Sequence, residues 1–314
     1  MLDREQIETF VTVIDERSFG RAAAVLNVTR GAVSQRIKAL ETSLATVLLV
    51  RETPITPTAA GEILMHHVKN LRLLEHASLA RLMPQHRSAG PVPLAIAVNA
   101  DSLATWISPL LWPLLLERRV VLEVITDDQS HTLRRLARGE VTGCVSTESK
   151  PVEGFVADRL GSMEYRCYAT PEFARTWFSP QLSLATVLNA PAILFDRKDS
   201  LHDDFLTRVF GFSVERYPKH YLPSPEALLE GVMKGVGYAL LPTMQVRSQA
   251  RASALFDLAP QQPMLVPLYW HHWRSEPPLS QEITRLVVEG ARHALVQPSD
   301  GGQEHEAGGN QARE

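Results

Sequence analysis

The stretch that decides the reading is Ser18-Phe19-Gly20-Arg21-Ala22-Ala23-Ala24-Val25-Leu26, then Asn27-Val28-Thr29, then Arg30-Gly31-Ala32-Val33-Ser34-Gln35-Arg36-Ile37-Lys38-Ala39-Leu40. The first part predicts a short helix whose small residues let a second helix approach closely. Asn27-Val28-Thr29 reads as a tight turn, with Thr29 placed to cap the next helix. In that second helix Ala32, Val33, Ile37 and Leu40 fall on one side at helical spacing, while Arg30, Ser34, Gln35 and Lys38 share the other. Arg and Gln carry forked hydrogen-bonding groups that suit base edges in a major groove, and Ser, Lys and Arg suit phosphates. The pattern predicts a helix-turn-helix; the competing reading is a solvated helix face with no partner.

The chain continues from this stub with one long helix. Thr58 caps it and Gly61 to Met83 runs free of proline, with Ile63, Leu64, Val68, Leu71, Leu74, Leu79 and Leu82 forming an apolar stripe. Such a stripe must be covered, either by the helix's own domain or by a second copy. Proline, glycine and serine cluster in Pro84-Gln85-His86-Arg87-Ser88-Ala89-Gly90-Pro91, as in a linker. Beyond it, strand-like runs (Leu94–Val98, Val120–Ile125, Val141–Val145, Ala192–Phe195, Tyr238–Leu241) alternate with helical ones, among them Ser102–Leu116 and Thr132–Arg138. This predicts parallel sheets built from βαβ units. Pro298 to Glu314 lacks large apolar residues and is expected to be a disordered tail.

Composition narrows the function classes. The 314 residues are 45% hydrophobic and 21% charged, ordinary for a soluble globular chain of two or three units. No apolar run is long enough to span a bilayer, and Met1 to Glu5 does not begin a signal peptide, so the cytoplasm is the expected compartment and no membrane partner is expected. Two cysteines, Cys144 and Cys167, supply neither a disulfide framework nor a multi-cysteine metal site. The net charge of −3 conceals an asymmetry: residues 1–90 carry 11 Lys/Arg against 9 Asp/Glu, and the rest 21 against 26. No G-x-S-x-G, H-E-x-x-H, P-loop or C-x-x-C motif occurs. His66-His67 and His271-His272 are adjacent pairs whose side chains diverge. No catalytic residue, metal ligand or cofactor is assigned.

Residues 1–65 resemble the winged helix-turn-helix of LysR-type transcriptional regulators. The likeness rests on Phe10, Ser18-Phe19, Ala22-Ala23, Leu26, Val28-Thr29, Ala32-Val33-Ser34, Ile37, Leu40-Glu41, Leu48-Leu49, Arg51 and Thr58-Ala59-Ala60-Gly61. Three departures stand out: Arg30-Gly31 at the start of the recognition helix, Ala45 where glycine is usual, and a wing, Glu52 to Pro57, without the usual basic residues. The resemblance implies an α+β multidomain chain. It would comprise a winged helix-turn-helix domain (1–57), a linker and dimerisation helix with hinge (58–90), and a two-lobed α/β effector domain like a periplasmic binding protein (91–297). Lobe one would take 91–164 and 268–297, and lobe two 165–267, with the chain crossing near 164 and returning near Pro267-Leu268-Tyr269-Trp270. The implied DNA-contacting set is Ser18, Arg30, Ser34, Gln35, Arg36, Lys38 and Arg51. The implied partners are double-stranded DNA, a second or further copies of the chain (dimer or tetramer), and RNA polymerase.

A narrower resemblance runs through Ala97 to Trp106, Arg138 to Ser146, Ala190 to Asp196, Leu268 to His271 and Val50 to Thr58. It is to the family's arginine/lysine-responsive ArgP/LysG subgroup, and implies lysine or arginine as effector and a basic-amino-acid exporter gene as target. Ligands of such folds sit beyond the carboxyl ends of strands, between lobes. A carboxylate would suit a helix start with hydroxyls, hence Ser102 and Thr105; ammonium groups need acids, hence Asp101, Asp127, Asp128, Asp196 and Glu226. Ser146 and Ser224 lie at equivalent strand ends. Each of these residues also fits plain helix capping. The alternatives are a family member sensing another small molecule, and a cytoplasmic binding protein or enzyme whose helical front is incidental. The last would keep its activity without residues 1–57.

Overall fold

The computed structural model describes residues 3–82, 91–117, 120–126, 129–214, 216–247 and 249–298. The hinge expected at 83–90, the tail from 299 onward, and Asp127 and Asp128 lie outside the described residues.

Three helices make the front unit: α1 (Arg4–Glu16), α2 (Phe19–Val25) and α3 (Arg30–Ser43). Each starts on an oxygen-bearing side chain that accepts a backbone N–H from the first turn: Asp3 from Gln6, Ser18 from Arg21, Thr29 from Ala32. Their apolar sides close a small core around Phe10, Val13, Ala22, Val33, Ile37 and Leu40. The wing is a two-residue-by-two-residue antiparallel pair, β1 (Leu49–Val50) with β2 (Thr56–Pro57). Ala45 takes a left-handed φ of 50° just past the end of α3. Thr58 then caps α4 (Ala59–Leu82), accepting the Gly61 N–H at 3.1 Å.

The long helix serves two cores at once. Leu64, Met65 and Val68 complete the front core, whereas Leu73 belongs to the core of the back domain. Ile63, Leu71, Leu74, Leu79 and Leu82 stay exposed, so the predicted stripe is only partly covered within the chain.

The back domain begins with β3 (Val92–Val98), which runs parallel to both β4 (Val120–Thr126) and β5 (Gly143–Ser146). Between β3 and β4 the helix α5 (Ala100–Ser102) passes through a π-helical turn at Leu103–Ile107 into α6 (Ser108–Leu116). The helix α7 (Gln129–Ala137) leads to β5, where Gly139 adopts a φ of +64°. Next comes β6 (Phe155–Ala169), followed by α8 (Pro171–Trp177), α9 (Leu184–Val187), β7 (Ala192–Leu194), α10 (Leu201–Phe210), β8 (Lys219–Tyr221), α11 (Pro225–Met233) and β9 (Ala239–Pro242). The short α12 (Thr243–Val246), α13 (Gln249–Ala254) and β10 (Phe256–Asp257) precede β11 (Met264–Trp273) and α14 (Pro278–Ala294).

The expectation of parallel sheets needs correction. Among the described residues parallel pairing is found for β3 with its two neighbours, for β7 with β8, and at a single bridge between Ala192 and Tyr238. The spine of the domain is an antiparallel ribbon of β6 and β11, and the sheet order is β10-β6-β11-β5-β3-β4 with β9 also on β6. Short apolar runs between helices pointed to βαβ units, but the two longest strands are the ones that carry the chain between lobes. Toward the amino end of β11, Glu164 lies opposite Leu265 and Ser162 opposite Pro267. One end of the ribbon pairs with β5 and the other with β9 and β10, which gives the domain its two lobes.

Candidate functional site

Two places concentrate chemistry: the free face of α3 and the cleft where β3, β6 and β7 converge.

On α3, burial divides the residues by face. Val33, Ile37 and Leu40 are fully buried, while Arg30, Gly31, Ser34, Gln35 and Lys38 are exposed. The exposed set has no acid among it, and it begins with Arg30 and Gly31 in the first turn, where the helix dipole and free N–H groups favour phosphate. Arg36 stands apart. It sits a third of a turn away, half-buried, and its guanidinium meets Glu5 at 2.7 Å and Thr9 at 3.5 Å. In this structure Arg36 ties α3 to α1 instead of projecting with the others. Arg51 at the wing holds Glu41 at 2.9 Å, and Glu41 also accepts the Leu48 N–H. Ser18 uses its hydroxyl as the cap of α2.

The cleft is a narrow, partly open pocket lined by Asp101, Tyr165, Phe195, Asp199, His202, Gln245 and apolar side chains of β7, α11 and β9. Asp101 enters at the start of α5, immediately beyond β3. Tyr165 reaches it from the ribbon, its hydroxyl donating to Asp101 Oδ2 at 2.7 Å. Burial raises the Asp101 carboxyl to about 6; the Tyr165 bond opposes that shift, and the fields of Asp199 and Glu226 add to it. The Asp199 carboxyl is likewise raised by burial, against stabilising N–H bonds from Leu201 and Phe195. The cavity thus holds negative charge that the protein itself leaves incompletely balanced. Three further polar groups are buried without partners near it: Ser102 Oγ, Gln245 Oε1 and both ring nitrogens of His202. Burial lowers the His202 imidazole to about 3, so it stands neutral.

The remaining sequence candidates divide. Asp101 lines the cavity and Ser102 lies one residue on, its hydroxyl unpaired. The Thr105 hydroxyl turns back onto the Asp101 carbonyl at 2.5 Å. Asp196 folds onto its own loop, accepting N–H bonds from Lys198 and Asp199. The Ser224 hydroxyl caps α11 and also donates to Glu226, which acts on the site only through its field. Ser146 is buried at the end of β5 and accepts the Glu148 N–H. Sequence reasoning missed Tyr165, Asp199, His202 and Gln245. For Tyr165 a signal existed, the period-two alternation of Met163, Tyr165, Cys167 and Ala169. Nothing in the sequence separates Asp199 from Asp196, because which one faces the cavity depends on how the loop folds.

Among the described residues no three or more His, Cys, Asp or Glu side chains are grouped to hold a metal ion, and no helix is long and apolar enough to cross a membrane.

Comparison with known proteins bears on both sites. The model of the bacterial regulatory helix-turn-helix proteins of the lysR family matches residues 4–62, and that of the LysR substrate binding domain matches residues 93–292. The HTH-type transcriptional regulator ArgP of Photobacterium profundum is 39% identical over 296 residues, 94% of this chain and 99% of the relative. Among solved structures, ArgP from Mycobacterium tuberculosis superposes with a TM-score of 0.84 at 33% identity, covering 95% of this chain and all of that one. Full-length LysG from Corynebacterium glutamicum with bound effector Arg superposes with a TM-score of 0.80 at 34% identity, over the same shares.

Proposed function

Because the chain belongs to the LysR family of bacterial regulatory helix-turn-helix proteins, we propose that its cleft senses a basic amino acid, arginine or lysine, and that occupancy sets how its reading heads engage a promoter. The chain is a DNA-binding transcriptional regulator and not an enzyme. The cleft assignment rests chiefly on one observation: Asp101 and Asp199 line a largely buried pocket with no lysine or arginine among its described lining residues. A guanidinium or ammonium group desolvated there would relieve the carboxylates' own burial cost. In this reading the first turn of α5 receives the ligand carboxylate, with Ser102 Oγ buried unpaired beside it. The likeness to an arginine-bound relative supports the same choice.

In this reading Arg30, Ser34, Gln35 and Lys38 contact duplex DNA. The exposed leucines of α4 pair with a second copy so that two reading heads meet two half-sites. RNA polymerase is the further partner, the cytoplasm the compartment and a basic-amino-acid exporter gene the target. Calorimetric titration of the full-length protein with a panel of amino acids tests the cleft. Arginine or lysine should bind, and Asp199→Asn should weaken binding at least tenfold. Equal affinity for neutral and basic amino acids would refute the assignment.

A further inference from the structure

The ribbon that brings Tyr165 to the cleft has a second end. Phe155 opens β6, Trp273 closes β11, and the two are register partners. Into them projects His66, from α4. Its ring centroid lies 3.7 Å from that of Trp273 and 5.3 Å from that of Phe155, edge-on to both. His66 is buried, and burial holds its imidazole down at about 4, so it is an uncharged aromatic wedge. The helix is drawn unusually close to lobe one at this point. Gly139 has a φ of +64°, and a Cβ there would come within 3.2–3.3 Å of the His66 backbone. One turn before His66, Glu62 meets Arg138 at 3.1 Å. Because α4 also carries Leu64, Met65 and Val68 into the front core, it cannot shift against lobe one without moving the reading head.

We propose that the β6–β11 ribbon transmits cleft occupancy to the reading head, with Tyr165 as its sensing end and the seat of His66 between Phe155 and Trp273 as its output. This rests on the cleft reading given above. The ribbon is kinked midway, where Ser162 also exchanges backbone hydrogen bonds with Val296. Midway, the register slips between Leu268 and Tyr269, opposite Gly161, whose φ of +123° suits glycine alone. A bulge of this kind kinks and twists a strand pair. The output end is not packed solid. A narrow crevice, with room for about one water molecule, borders His66, Asn70, Gly139, Trp273 and Ser280. Both His66 Nε2 and Ser280 Oγ are buried there without hydrogen-bond partners. Unpaired buried groups are costly, so a second seating of the helix that satisfied them would recover part of that cost. Two seatings of α4, biased by the bend of the ribbon, are what coupling between the sites requires.

The test uses full-length wild type, His66→Ala, His66→Phe and Tyr165→Phe, with a duplex selected by the wild type from a random pool. Calorimetry with arginine reads the cleft; the DNase I footprint with and without arginine reads the coupling. His66→Ala should bind arginine within about threefold of wild type while its footprint no longer changes on adding arginine. His66→Phe, which keeps an aromatic wedge, should restore the change. An arginine-dependent footprint in His66→Ala equal to wild type would overturn the proposal. Should the wild type fail to bind arginine, the cleft reading falls, and the ribbon is then judged without ligand. DNA affinities of wild type, His66→Ala, Tyr165→Phe and the double variant form a cycle. Departure from additivity of threefold or more supports transmission, and additive effects overturn it.

Discussion

Single residues set several local balances in this chain. Ala45 sits at φ 50°, where an L-residue is disfavoured by ~1–2 kcal/mol. Glycine would remove that strain and lose part of the gain to a freer unfolded chain, ~0.5–1 kcal/mol. Ala45→Gly should therefore stabilise the protein by about 0.5–1 kcal/mol in urea unfolding, and equal or lower stability would count against the strain. The departure at position 45 was visible in the sequence, but its cost needed the backbone angle. Asp101 makes the second residue-scale case. Its carboxyl is raised to about 6 in the folded protein, so the fold prefers the protonated form. A group of this sign adds stability at low pH and loses it as pH rises from about 4 through 6. Asp101→Asn should raise the thermal midpoint of the ligand-free protein at pH 7.5 and change it little at pH 4. A cationic effector needs the carboxylate, so its affinity should fall as pH drops below about 6. An affinity flat across pH 5 to 7.5 would remove Asp101 from the ligand.

At the scale of elements, α3 shows how far pattern reading goes. The apolar spacing of Val33, Ile37 and Leu40 placed the core face, and with it the exposed row of Arg30, Ser34, Gln35 and Lys38. The family resemblance added Arg36 to that row. Position 36 borders both faces, and only the acid at Glu5 on a neighbouring helix decides where the guanidinium goes. Arg30→Ala or Gln35→Ala should relax base preference by ~1–3 kcal/mol per lost base contact in competition binding. Arg36→Ala should lower thermal stability and leave base preference intact. Unchanged selectivity in the first pair would mean that those side chains do not read bases. The strands were less legible. β6 and β11 form the longest pairing among the described residues, yet β6 is interrupted by Gly161 and bulged, and pairs with residues about a hundred positions away. Such non-local register leaves a weak trace in composition. The alternation from Met163 to Ala169 was its one clear mark. In α4 the exposed Leu74 and Leu79 are the place to test pairing: Leu74→Glu should shift the oligomer toward monomer in sedimentation velocity. An unchanged sedimentation coefficient would move the interface elsewhere.

Across the whole molecule, a reading head, a long helix and a two-lobed sensor were all readable from motif and resemblance. What joins them was not. Leu73 and His66 look like ordinary members of a long helix, and only the fold sets them against lobe one. The cleft was legible by topology: Asp101 was named from its place after a strand, whereas Asp199 and Gln245 enter from segments whose course the sequence does not disclose. The central claim is that a basic amino acid in the cleft alters how the reading heads hold DNA. The most direct measurement is the footprint of the full-length protein on its selected duplex during titration with arginine, lysine and citrulline, which replaces the guanidinium by a neutral urea. Arginine or lysine should change the protected span, and citrulline should leave it unaltered. A span indifferent to all three, or one that citrulline changes as readily as arginine, would contradict the account.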